Sequence, residues 1–121
     1  MAITETPVKT QRRRALFACG EPCPIERGMR ILGGKWTASI LWHLKDGPVR
    51  FNELSRMIPG ASKKMITERL RQLEAQGLVS RQVLDTAPVS VQYEVTHLGC
   101  SALGFLDQLR TWTDSLPGAE D

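Results

Sequence analysis

The order of patterns between Asn52 and Val95 constrains this chain more than any other feature. After Asn52, a residue type that caps helices, Leu54, Met57 and Ile58 recur at helical spacing and are expected to face inward. Pro59-Gly60 breaks that pattern with a turn. Ser62 then opens the most regular helix of the chain, over 62–76, with Ile66, Leu70 and Leu73 at i, i+4 and i+7. Gln76-Gly77 closes it, the glycine standing just past the end, where a left-handed residue is usual. Two β-favouring runs follow at once, Leu78 to Leu84 and Val89 to Val95, joined by Asp85-Thr86-Ala87-Pro88 as a hairpin.

The flanking segments add three helical patterns. Pro24 suits the first turn of a helix on which Ile25, Met29 and Leu32 share a face, and Gly33-Gly34 ends it. A second helix is predicted from Lys35 to Lys45, with Trp36, Ile40, Leu41 and Leu44 apolar and Asp46-Gly47-Pro48 as its stop. Val49-Arg50-Phe51 reads as a short edge strand. Thr96 caps a last helix bearing Leu98, Ala102, Phe105, Leu106, Leu109, Trp112 and Leu116. With 121 residues there is room for one core and short tails. The expected division is a flexible basic arm over 1–18, a folded domain over 19–116 and a tail over 117–121.

Charge is uneven along the chain. From Pro48 to Arg81 there are seven basic and three acidic residues, whereas His97 to Asp121 carries one arginine against four acids. A basic middle beside an acidic end suits a polyanion-binding element joined to a part with another task. Catalytic signatures are missing: no Gly-x-Ser-x-Gly elbow, no phosphate loop and no HExxH. No apolar run reaches membrane-spanning length and the N-terminus lacks a secretory pattern, so the expected location is the cytoplasm. No cofactor is expected.

Two helices around a Pro-Gly turn, the second basic at its start, form a helix-turn-helix; the strand before and the hairpin after make it winged. The expected class is mainly α with a small β hairpin (α+β). A recognition helix reads base edges with its N-terminal residues while neighbouring cations grip phosphate. On the helix 62–76, Lys63, Lys64, Thr67, Glu68 and Arg71 point away from the apolar stripe. The DNA-binding set read from this helix is Ser62, Lys63, Lys64, Thr67 and Arg71, with double-stranded DNA carrying a palindromic operator as partner. Phe105, Leu106, Leu109 and Trp112 make a stripe wider than one small core needs, which predicts a homodimer seam.

The three cysteines, Cys19, Cys23 and Cys100, are too few and of the wrong number for a disulfide framework. Cys23 precedes Pro24 at a helix start, where the dipole and unpaired amides favour a thiolate. Cys19-x3-Cys23 with His97-x2-Cys100 could supply four zinc ligands, but the spacing is not that of a zinc knuckle, and no metal site is assigned. His43 reads as a partly buried helix residue.

These residues resemble the HxlR family of bacterial winged-helix regulators. The resemblance rests on Cys23-Pro24-Ile25-Glu26, Gly33-Gly34-Lys35-Trp36, Ile40-Leu41, Gly47-Pro48 and Arg50-Phe51-Asn52-Glu53-Leu54. It continues through Ile58-Pro59-Gly60, Leu70-Arg71-Gln72-Leu73-Glu74, Gly77-Leu78-Val79 with Arg81, and Tyr93 with Thr96 and Gly99. It implies a homodimeric regulator, by prior a repressor, whose first and last helices (Ile25 and Met29 with Phe105, Leu106, Leu109 and Trp112) build the interface. Arg50 would reach phosphate. The resemblance also implies thiol-based sensing of oxidants or electrophiles at Cys23, with Cys19 or Cys100 as the resolving thiol. A small apolar inducer, or a pure protein-interaction module, is the alternative. One departure stands out: the family's wing often carries a cation, whereas this loop has none and contains Asp85, so the wing tip should attract phosphate weakly.

Overall fold

The computed structural model describes residues 23–118, which fall into two compact units, one ending at Gly33 and the other beginning at Gly34. The first unit holds helix α1 (Pro24–Leu32), with Pro24 in its first turn, Glu26 near its start and Arg30 near its end, as the helix dipole favours. None of its residues is buried, and Ile25 and Met29 are exposed. Gly33 closes it by donating its N–H to the Met29 carbonyl at 2.6 Å.

The second unit runs α2 (Thr37–His43), β1 (Val49–Arg50), α3 (Phe51–Met57), α4 (Lys63–Ala75), β2 (Val79–Leu84), β3 (Ser90–Val95) and α5 (His97–Asp114). The strands form an antiparallel sheet in the order β1-β3-β2, with Val49 opposite Tyr93 and the hairpin in register from Val79–Val95 to Leu84–Ser90. The described residues therefore show five helices and a three-stranded sheet, a mixed α+β winged-helix fold. Ile40, Leu41 and Leu44 meet Leu54 of α3, Ile58 just past its end, and Ile66, Leu70 and Leu73 of α4 in a core that Leu78, Val79, Tyr93 and Leu106 complete.

Local chemistry fixes the joints. Ser62 caps α4, and Gly77, at φ +80°, ends it: Leu78 N–H donates to the Leu73 carbonyl and Gly77 N–H to that of Glu74, both at 2.9 Å. That paired closure satisfies carbonyls the helix leaves open. The same turn anchors α5, because the Thr96 hydroxyl donates to the Gly77 carbonyl and accepts from Gly99 N–H, while Thr96 N–H donates to the Leu78 carbonyl.

Several boundaries and faces differ from expectation. α2 begins at Thr37, not Lys35, because Trp36 adopts a left-handed conformation (φ 74°) and its indole lies over Gly60 instead of joining the helical face. Phe51 opens α3 and does not extend the strand, so Arg50, and not Asn52, occupies the capping position. Met57 and Leu98 are exposed, each lying off the buried face of its helix. Leu106, expected at the dimer seam, is 6% exposed: its apolar surface is already covered within the protomer. The expected arm and Cys19 lie outside the described residues.

The tightest approach lies where α5 starts. A Cβ on buried Gly99 would fall well inside van der Waals distance of the Leu78 carbonyl, a backbone group that cannot swing aside. Gly99→Ala should therefore destabilise the fold by about 1–3 kcal/mol, the usual range for overpacking. Denaturant unfolding with an unchanged midpoint would contradict this placement.

Candidate nucleic-acid interface

The face of α4 turned away from the core is built from its N-terminus. Ser62 accepts a hydrogen bond from Met65 N–H at 3.0 Å, leaving the amides of Lys63 and Lys64 directed outward with the positive end of the helix. Both lysines are exposed, as is Arg71 two turns on. Thr67 turns its hydroxyl back, donating to the Lys63 carbonyl at 2.8 Å, so towards any partner its oxygen can only accept. Arg69 is used internally instead: its Nε donates to the Lys35 carbonyl at 2.9 Å and its Nη1 to Gln72 Oε1 at 3.3 Å. That tie holds the middle of α4 to the segment ahead of α2. Trp36 closes on Gly60 so tightly that a Cβ there would stand 2.9 Å from the ring, and Lys35 Nζ lies 5.2 Å from the ring centroid as a cation–π partner. The turn between α3 and α4 is thereby clamped from above.

Beside α4 the surface is concave. A hollow of about 590 Å³ is lined in part by Arg50, Asn52, Arg56, Thr67, Ser90 and Tyr93. A second, of about 410 Å³, is lined by Thr67, Arg71, Glu74, Arg81 and Tyr93. Thr67 and the buried Tyr93 border both, and four arginines ring the pair. No ion pair among the described residues engages any of the four. Arg50, Thr67 and Arg71 of the sequence-predicted set line these hollows; Ser62, Lys63 and Lys64 stand at the helix start outside them. Arg56 and Arg81 were missed as individual residues. The signals that could have found them were the cation count from Pro48 to Arg81 and the place of Arg81 opposite Tyr93 in the hairpin. The wing loop folds on itself, the Thr86 hydroxyl donating to the Pro88 carbonyl at 2.6 Å and sharing a 3.2 Å hydrogen bond with Ser90.

On α5, Phe105, Leu109 and Trp112 are exposed. Arg110 pairs with Asp107 at 2.8 Å and with Asp114 at 3.8 Å; the hydrogen bond and charge of Asp107 raise the guanidinium pKa above its ordinary value. A shallow hollow of about 300 Å³ between α2 and α5 is lined in part by Trp42, His43, Leu106 and Leu109. Cys23 is the half-buried N-cap of α1, and Cys100 is exposed in the first turn of α5. Among the described residues no three His, Cys, Asp or Glu side chains are grouped to hold a metal ion, and no helix is long and apolar enough to cross a membrane.

Residues 31–120 match the family model described as HxlR-like helix-turn-helix. The chain belongs to that family. The HTH-type transcriptional regulator YybR of Bacillus subtilis is 35% identical over 103 residues, covering 85% of this chain and 82% of YybR. The structure of the reduced form of B. subtilis YodB, also a transcriptional regulator, superposes with a TM-score of 0.72 at 38% identity, over 82% of this chain and 98% of that one. The redox regulator HypR in its oxidised form gives a TM-score of 0.72 at 37% identity, over 78% and 97% of the two chains. This HxlR-like protein is thus a helix-turn-helix transcriptional regulator, and not an enzyme.

Proposed function

We propose that this regulator is a homodimeric repressor that sets α4 of each copy into neighbouring major grooves of a palindromic operator. The observation that carries the reading is the outward face of α4, where Lys63, Lys64 and Arg71 stand exposed with no ion pair among the described residues, on a helix fixed at both ends and along its buried side. Ser62 and the first-turn amides would take phosphate, Thr67 would accept from a base edge, and Arg50, Arg56 and Arg81 would grip backbone beside the groove. The cation missing from the wing tip is compensated at the root of the wing, by Arg81 on β2 and the arginines on β1 and α3. Repression needs no further surface, since a dimer lying on a promoter excludes other proteins from it.

The seam would join Phe105, Leu109 and Trp112 of α5 with Ile25 and Met29 of α1, exposed apolar side chains in each case. Such a pair can place two recognition helices about 34–36 Å apart, one turn of duplex. Light scattering should give twice the chain mass, and Leu109→Asp with Trp112→Asp should give the mass of one chain. A wild-type monomer at micromolar concentration would contradict the seam.

Binding to DNA should weaken steeply with salt. Lys63→Ala or Lys64→Ala should lower affinity and reduce the slope of log K against log salt by about 1 for each phosphate that the variant no longer neutralises. Unchanged affinity and slope in fluorescence anisotropy would contradict the assignment of this face.

A second reading concerns the signal, and rests on the position of Cys23 at the start of α1 together with the likeness to the redox regulator HypR. A helix N-terminus stabilises a thiolate there. Oxidation by diamide would join Cys23 to Cys19 or Cys100, the two thiols losing two protons and two electrons to the N=N bond, which becomes a hydrazine. A quinone would instead be attacked by the thiolate, forming a carbon–sulfur bond and a hydroquinone ring. Wild-type protein should release DNA on diamide treatment and Cys23→Ser should not. Normal release by the variant would overturn sensing at Cys23, and a wild type that keeps its DNA under diamide and quinone would favour a small apolar inducer, for which the hollow between α2 and α5 offers a place.

A further inference from the structure

The outward face of α4 carries one charge of the wrong sign for a partner made of phosphate. At about 100° per residue, Glu68 lies within about 15° of the direction opposite the mean of Ile66, Leu70 and Leu73, closer to the middle of that face than Lys64 or Arg71. It is exposed, in the second turn of the helix, within the N-terminal half that meets base edges. Lys64 and Arg71 flank it at i−4 and i+3, yet no ion pair or hydrogen bond among the described residues engages its carboxylate. Lysine four residues before glutamate is also the weaker of the two helical orientations for such a pair.

Resting on the reading of α4 as the recognition helix, we propose that Glu68 is a specificity-determining residue that accepts a hydrogen bond from the N4 amino group of a cytosine on the floor of the major groove. A carboxylate pressed into a groove walled by phosphates is repelled along its whole approach, and it loses water that only a donor can replace. The floor offers two exocyclic donors, cytosine N4 and adenine N6. Adenine sets its N7 acceptor beside N6, so a carboxylate there meets a lone pair as well as a proton. Cytosine presents its amino group with no adjacent acceptor on the same base. Lys64 and Arg71, on either side, are suited to the O6 and N7 acceptors of neighbouring guanines. Glu68 therefore lowers affinity for DNA in general and restores it at sites with cytosine in register. That is discrimination by a repulsive element.

The test is selection from a random duplex library by the full-length wild type, Glu68→Ala, Glu68→Gln and Lys64→Ala, with affinity for a random duplex measured alongside. Wild type should prefer cytosine at one position of each half-site by about fivefold to about 150-fold over other bases, the range of a good direct contact. Glu68→Ala should lose the preference at that position alone and bind random duplex more tightly. Glu68→Gln should move the preference towards adenine, whose N6 and N7 match a carboxamide. Identical preferences for wild type and Glu68→Ala at every position would overturn the proposal. If Lys64→Ala also leaves affinity and preference intact, the failure lies in the reading of α4 itself; if Lys64→Ala weakens binding, it lies with Glu68 alone.

Discussion

Everything on the surface of α4 depends on what lies beneath it. Ile66, Leu70 and Leu73 are fully or almost fully buried against Ile40, Leu41 and Leu44 of the α2 region and against Leu54 and Ile58. Each of these side chains contributes roughly 1.5–3 kcal/mol by leaving water. More important than the sum is its direction. A stripe at i, i+4 and i+7 leaves a helix one stable rotation about its axis, and that rotation presents Lys64, Glu68 and Arg71 outward. Ser62 and Gly77 then fix where the helix begins and ends, while Arg69 and Trp36 stop it sliding along its own axis.

The same economy runs through the second half of the chain. The glycine that ends α4 also supplies the carbonyl that holds Thr96, the cap of α5. Tyr93 on β3 is opposite both Val49 and Arg81, so one buried aromatic ring backs the edge strand, the hairpin and the two basic hollows. The wing is consequently a rigid extension of the core at its root. Its cations, Arg50 and Arg81, sit on that rigid part, and its cation-free tip closes on itself through Thr86. An interface built this way concentrates charge where the backbone is best fixed.

Much of this was legible in the order of residues. The stripe on α4, its serine cap, its glycine stop and the presence of the hairpin all follow from spacing and turn chemistry, which act over a few residues; its register, with Leu84 opposite Ser90, does not. What was not legible depends on contacts between distant segments. Trp36 reads in sequence as a helical core residue because its spacing fits, and only the fold sets Gly60 beneath its ring, with the backbone of Trp36 left-handed. Arg69 reads in sequence as one more surface cation, and only the fold brings the Lys35 carbonyl within reach of its guanidinium. Leu106 and Leu109 read alike in sequence, but α2 covers the first and leaves the second at the surface. Arg50, two residues before Asn52, is the cap of α3: it pairs extended with Gln92, and Phe51, expected in the strand, is already helical.

The central claim is that the duplex meets α4 and the root of the wing, and no other face. Backbone and side-chain NMR shifts followed while operator DNA is titrated into the intact protein test it most directly. The account predicts large perturbations at Lys63 to Arg71, at Arg50 and Arg56, and at Arg81, with Phe105, Leu109 and Trp112 little changed. Perturbations concentrated on α5 with α4 silent would contradict it.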